Sequence, residues 1–458
     1  MTDNDHQLVL QTPYAEIEHK MNLLLDTGQL LMESGADTKR IVRDMIRAAA
    51  YMGIPWEKIR MHMTYTTIML NIGDEDHSYT NFRKCRNHGI NMSAILAVSE
   101  LSWRAMEQKY VLEAYAAELA IIKGTVRHYS PLITSLGAGF ACGGFCKLFG
   151  CDWIAFFLTA LCACLGFWVR RICNEWGING YASIAISAFA ATFAAFFTHY
   201  LPGSSTPWHP MIACTLFIVP GIPLINSVDD LVNNYIISGS TRAINTILIV
   251  CAMTFGIVCA IRLCNVYDFT TLNIVPDSIY LSHAIAAAVA AMGFSIIFNI
   301  PPRLLPVAGV GAIISVCLRN VFSLELGMSQ IAGSFIGATA VSIIGLKAAG
   351  WLRAPLHVIA IPSVIPMIPG VLMYRLLFAV INIATLDLTG LLIAIQNGIQ
   401  AALIIIGIAL GATIPDLIVH KYVEKGKQQH LKELLSKRAG NGYGYDTEAD
   451  LDRATTIK

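Results

Sequence analysis

The chain has 458 residues, of which 55% are hydrophobic and 14% charged, with a formal net charge of +1. Globular chains average roughly a quarter charged residues, so a protein soluble throughout is excluded, and the near-neutral balance leaves no electrostatic footprint for nucleic acid. The shortage is uneven. Charges are frequent from Met1 to Arg127, scarce from Ser130 to Val419, and frequent again in the tail. Apolar runs of roughly twenty residues fill the middle stretch, the length needed to cross a bilayer.

The first 128 residues predict a small α+β domain. Ile17, Met21, Leu24, Leu25 and Leu31 share one helical face. Asp37 is placed to cap a second helix whose apolar stripe is Ile41, Met45 and Ala49, ended by Gly53 and Pro55. Ile59, Met61, Met63, Tyr65 and Thr67 alternate as in a strand, and the polar run from Gly73 to His77 reads as a turn into a second strand. Two amphipathic helices then lead to the first span. The acidic, polar start Met1-Thr2-Asp3-Asn4-Asp5 is unlike a signal peptide, which predicts a cytosolic domain.

Ten spans are expected, at about 131–149, 152–172, 179–200, 209–228, 241–263, 279–299, 302–320, 326–349, 355–381 and 387–419. With the N-terminus inside, the cytosolic side receives Lys123, Arg127, Arg170, Arg171, Arg242, Arg303, Lys347, Arg353, Lys421, Lys425 and Lys427. The opposite side receives mainly Lys147, Arg262 and Arg319, and its long loop from His199 to Pro210 has no Lys or Arg. Both termini are therefore expected in the cytoplasm.

Residues 131–263 laid over 280–412 at a constant offset of 149 bring Leu132 onto Leu281, Gly144-Phe145 onto Gly293-Phe294, Arg170 onto Arg319 and Pro220-Gly221 onto Pro369-Gly370. Two sets of five spans must cross in opposite senses, so the expected architecture is a 5+5 inverted repeat, common in secondary transporters. The domains expected are 1–128, a first five-helix repeat at 129–264, a second at 277–420, and a polar cytosolic tail at 421–458.

The fourth and ninth spans carry the chemistry. The fourth contains Pro220, Gly221 and Pro223; the ninth contains Pro362, Pro366, Pro369 and Gly370. Each proline removes a helix hydrogen bond and crowds the preceding turn. Corresponding interrupted spans in two halves point to a transport site, although single kinks are common in membrane helices. Asn226 and Arg375 each lie five residues past a Pro-Gly pair. Arg375 would clamp a substrate carboxylate, or else snorkel or pair with Asp387. Asp229 and Asp230 would bind a substrate ammonium, carry a coupling proton, or stand as solvated loop charges. Gln396, Asn397 and Gln400 share a face of the tenth span and would line a cavity or tie helices together.

Eleven of the twelve cysteines lie at or after Cys142. Cys142 and Cys146 are a helical turn apart, which suits small packing residues better than a metal pair. No catalytic, Walker or metal signature is present, so neither an enzyme nor an ATP-driven pump is expected, and no cofactor or metal is implied. A membrane-anchored hydrolase or sensor remains as a competing class, but an anchor has no use for two broken spans in an inverted repeat.

The run from Met32 through Gly35, Asp37 and Arg40 to Val42, followed by Ala48 to Gly53, resembles the start of the threonine/serine exporter (ThrE) family. Pro220-Gly221 with Asp229-Asp230, Pro369-Gly370, and the order of one domain then five and five spans also resemble that family, in its fused single-chain form. The resemblance runs from about residue 14 to 420 and has no short diagnostic signature. It implies a multi-pass protein of the bacterial inner membrane that exports serine and threonine as an antiporter driven by the proton-motive force. Some two-chain relatives are associated with dicarboxylates such as succinate instead. On the first reading Arg375 and Asp229 or Asp230 take the two ends of a zwitterion. On the second Arg375 acts with Arg262 or Arg319. Homo-oligomerisation is left open.

Overall fold

The computed structural model describes residues 13–54, 58–73, 78–86, 88–107, 111–125, 128–266, 280–352, 354–381 and 387–439. The chain forms two compact units, one of residues 1–126, 230–241 and 417–458, the other of residues 127–229 and 242–416. Pro55, Arg127, Arg353, the expected turn at 74–77 and the chain beyond 439 lie outside the described residues.

In the N-terminal unit, helices α1 (Pro13–Glu33) and α2 (Thr38–Tyr51) precede strands β1 (Ile59–Met63), β2 (Thr67–Gly73) and β3 (Ser78–Lys84), followed by α3 (Met92–Glu107) and α4 (Leu112–Thr125). The strands form one antiparallel sheet in the order β1-β2-β3. Ile68, Leu70 and Ile72 of the central strand are buried, with Leu24, Leu25, Ile41 and Met45 in the same unit's core. Asp37 caps α2 by accepting the Arg40 N–H at 2.8 Å. The alternation from Ile59 to Thr67, read as one strand, is in fact broken by a reverse turn. Thr64 N–H donates to the Thr67 carbonyl at 2.9 Å, and the Thr64 hydroxyl accepts from Thr67 N–H at 3.1 Å. Because the turn's polar groups are met by Thr64 itself, it needs no Gly or Pro, the usual markers of a turn.

The other unit is helical. Its elements are α5 (Pro131–Leu148), α6 (Trp153–Glu175), α7 (Gly180–Phe196), α8 (Pro210–Ala213), α9 (Gly221–Val232), α10 (Ile236–Leu263), α11 (Tyr280–Ile297), α12 (Leu305–Asn320), α13 (Gln330–Leu352), α14 (Leu356–Val364), α15 (Gly370–Ile381) and α16 (Leu388–Ala439). The ends of α9, α10 and α16 pass into the N-terminal unit. Seven described helical segments are long and apolar enough to cross a membrane, or eight if the bent pair Pro210–Ile218 and Gly221–Val232 is one span. Three of the ten expected spans therefore fall short of a straight apolar crossing. One is α5, whose four glycines and Lys147 dilute its apolar character. The other two are the proline-broken spans.

Helices α5 and α11 pack through small residues. A Cβ on Gly144 would lie 2.7 Å from the Ala286 carbonyl oxygen, and one on Gly293 would lie 2.5 Å from the Gly137 carbonyl oxygen. Adding 149 to Gly137 and Gly144 gives Ala286 and Gly293, so each contact is the image of the other. Residue 144 meets 286 while 137 meets 293, so the two equivalent helices run antiparallel. The same offset carries the bounds of α5 onto α11 and those of α9 onto α15.

Asp152 caps α6 through Ala155 N–H at 2.7 Å. It also holds the 201–210 loop, accepting from the Ser204 hydroxyl at 2.9 Å, the Ser205 N–H and hydroxyl, and the Thr206 N–H. Burial works to raise this carboxyl, but the hydrogen bonds prevail and hold it down to about 2. A depressed carboxylate stabilises above its unfolded value of about 4 and loses that contribution as pH falls through its folded value. Proteolysis of the loop should thus stay slow from neutral pH to about 4 and quicken toward 2, whereas Asp152→Ala should expose the loop at pH 7. Equal cleavage of the variant and the parent at pH 7 would contradict the staple.

Candidate functional site

Both interrupted spans break in the same way. In the first, α8 gives way to a 3-10 turn at Leu216–Ile218, and α9 starts at Gly221 after a bend of 55°. In the second, α14 gives way to a 3-10 turn at Ile365–Met367 before α15 starts at Gly370. Val219 (φ −55°, ψ 121°) and Ile368 (φ −64°, ψ 128°) precede Pro220 and Pro369. A proline forces its predecessor out of the helical region, which ends each helix at that point.

Neighbouring helices satisfy backbone groups at and near the breaks, as burial in a membrane requires. Phe217 N–H donates to the Cys142 sulfur at 3.1 Å. The Met211 carbonyl accepts from Thr192 at 3.4 Å, and the Ser363 carbonyl accepts from Ser315 at 2.7 Å. Cys142 thus serves as an acceptor for the broken span, a role its spacing from Cys146 does not suggest.

The two breaks close on one another. A Cβ on Gly221 would meet Ile368 at 2.7 Å and Ile365 at 3.5 Å, and one on Gly370 would meet Leu216 at 2.9 Å and Val219 at 3.5 Å. These contacts also exchange under the offset of 149. Between them lies an apolar cavity whose lining includes Gly221, Gly370, Phe145, Phe294 and Phe298. Phe145 and Phe294, equivalent residues of α5 and α11, meet edge to face at 5.7 Å. The volume is about 10 Å3, roughly the space one water needs, too little for a substrate molecule. The N-termini of α9 and α15 both border it, and helix N-termini favour negative charge.

The remaining candidates spread outward. Asn226 is buried on α9, and Arg375 is half-buried on α15. Asp229, 3% exposed, accepts from the Thr413 hydroxyl of α16 at 2.9 Å. A ring nitrogen of His357 lies within 4.8 Å of the same carboxylate. From Gly221 to Asp229 is eight residues, about 12 Å of helix. Asp230 is fully buried and accepts from Thr38 N–H at 2.8 Å and the Thr38 hydroxyl at 2.9 Å. It is therefore not a solvated loop charge. Gln396 is exposed and Gln400 half-buried on α16, and neither lines the chamber. Thr413, His357 and Thr38 escape sequence reasoning. Thr413 stands 184 residues from Asp229 and Thr38 stands 192 from Asp230, with no local pattern linking either pair.

The long apolar helices define a polytopic α-helical membrane protein. Residues 22–264 match the family described as "Putative threonine/serine exporter", and residues 283–418 match "Threonine/Serine exporter, ThrE". The chain belongs to the threonine/serine exporter family, a family of transporters. It is 24% identical over 418 residues to the "Threonine/serine exporter" of Corynebacterium glutamicum, covering 88% of this chain and 84% of that one. It is 25% identical over 242 residues to the "Probable succinate transporter subunit YjjP" of Escherichia coli K12, covering 53% of this chain and 93% of that one. No solved structure matches it.

Proposed function

We propose that this protein is a secondary transporter of the inner membrane that exports threonine and serine by alternating access around the two broken helices. The observation that carries this reading is the reciprocal closure of the breaks, in which Gly221 packs on Ile368 while Gly370 packs on Leu216. Contacts that exchange under one offset, between equivalent helices running antiparallel, support a 5+5 inverted repeat, in which the halves can swap conformations. The chamber then opens to one side at a time. The substrate carboxylate faces the N-termini of α9 and α15, with Asn226 and Arg375 about 7.5 Å further along each helix. Asp229, set apart from the chamber, carries the coupling proton beside His357 and Thr413. Both termini and the N-terminal domain are cytoplasmic, in keeping with the charge bias of the loops.

A second reading, export of a dicarboxylate, draws on the succinate transporter subunit that matches the first half of the chain. The amino-acid reading draws on the threonine/serine exporter that matches both halves of the chain. Purified protein in liposomes is expected to show saturable counterflow of labelled serine and threonine, accelerated by a pH gradient. Counterflow of succinate alone would replace the amino-acid reading with the dicarboxylate one, and Arg375→Ala at the parent rate would remove Arg375 from the site.

A further inference from the structure

Asp230 stands where a carboxylate is least expected. It lies in the last turn of α9, a helix C-terminus, where negative charge is disfavoured. Its partner explains the placement. Thr38 is the first residue of α2, and both Asp230 oxygens accept from it, Oδ1 from the backbone N–H and Oδ2 from the hydroxyl. The N-terminus of α2 thus receives two carboxylates, with Asp37 on the Arg40 N–H and Asp230 on the Thr38 N–H. Each is favoured by the positive end of that helix.

The connector between α9 and α10 is tied at a second point. Tyr235 N–H closes on the Asp230 carbonyl at 2.8 Å, and Asn234 takes a left-handed conformation at φ 65° to end the helix. The Ser238 hydroxyl then donates to the Met63 carbonyl at the end of β1, at 3.2 Å. Residues 230–241, which join two apolar helices, accordingly belong to the same compact unit as the N-terminal domain. The second half has no counterpart, for the residue equivalent to Asp230 is Ala379.

We infer that Thr38 is a positioning residue for transport, and that the Asp230–Thr38 bond is a latch by which the N-terminal domain sets the foot of the first broken helix. This rests on the proposed transport by alternating access. Two mirror-related halves would by themselves make the inward- and outward-facing states equivalent. A bond made by one half alone breaks that equivalence, because a contact present in one conformation biases the population toward it. Thr38 then acts through Asp230 on α9, and Asp230 does not act on the substrate.

The test uses the full chain in liposomes with Thr38→Val, Thr38→Ser, Asp230→Ala and the double variant Thr38→Val/Asp230→Ala. Loss of a hydrogen bond to a charged group is expected to change the maximal exchange rate about tenfold, with half-saturation held within about twofold. Thr38→Ser should restore the parent rate, and the double variant should be no further from the parent than Asp230→Ala. Hydrogen exchange over residues 221–232 should quicken in Thr38→Val and Asp230→Ala but not in Thr38→Ser. A raised half-saturation in Asp230→Ala with normal behaviour in Thr38→Val would make Asp230 a substrate ligand and overturn the latch. Unchanged exchange over 221–232 in Thr38→Val would overturn it as well. A parent protein that moves no substrate would sink the transport reading alone, because hydrogen exchange reads the latch without transport.

Discussion

Gly293→Val is expected to separate α5 from α11 and to lower the yield of folded protein. A Cβ at Gly293 would lie 2.5 Å from the Gly137 carbonyl oxygen and 2.7 Å from the Ala141 nitrogen. Both are backbone atoms, so no side chain can swing aside and the helices must part. Overpacking costs about 1–3 kcal/mol where side chains yield, and backbone against backbone should reach or exceed the top of that range. Gly144→Val should cost a similar amount, because it meets the equivalent Ala286 carbonyl from the other helix. Gly124→Ala, with nothing within 4 Å, is the silent control. Thermal unfolding in detergent measures all three. A Gly293→Val midpoint equal to that of the control would contradict the packing described.

Asp229→Asn is expected to keep serine counterflow while losing its acceleration by a pH gradient, since residue 229 stands eight positions, about 12 Å of helix, beyond Gly221. Asp229→Ala should do more damage. It leaves the buried Thr413 hydroxyl without its acceptor at 2.9 Å, and losing a hydrogen bond to a charged group costs roughly tenfold or more. Thr413→Val should weaken the gradient response in the same direction by a smaller factor. Flux with and without an imposed gradient separates the possibilities. Loss of counterflow itself in well-folded Asp229→Asn would return Asp229 to the substrate site, and a full gradient response would exclude it from coupling.

Much of this architecture can be read from residues close together in the chain. Apolar length reports membrane segments because a bilayer offers no partner for polar groups, so composition must follow position. The Pro-Gly pairs at 220–221 and 369–370 report their breaks because proline acts on its own helix turn. Asp37 reports the cap of α2 because capping spans three residues. The offset of 149 carries the bounds of α5 onto α11 and those of α9 onto α15.

What needed the tertiary structure was every partnership across long separations. The hairpin at Thr64–Thr67 was invisible because a threonine hydroxyl replaced the usual turn residues. Asp229 and Asp230 are adjacent in sequence, yet a helix turns successive side chains by about 100°. One therefore meets Thr413 and the other Thr38. Local pattern determined that the chain is a broken-helix membrane protein. Packing of distant segments decided which carboxylate stands near His357 and which one ties α9 to α2, because such contacts depend on the fold and leave no periodicity in the sequence.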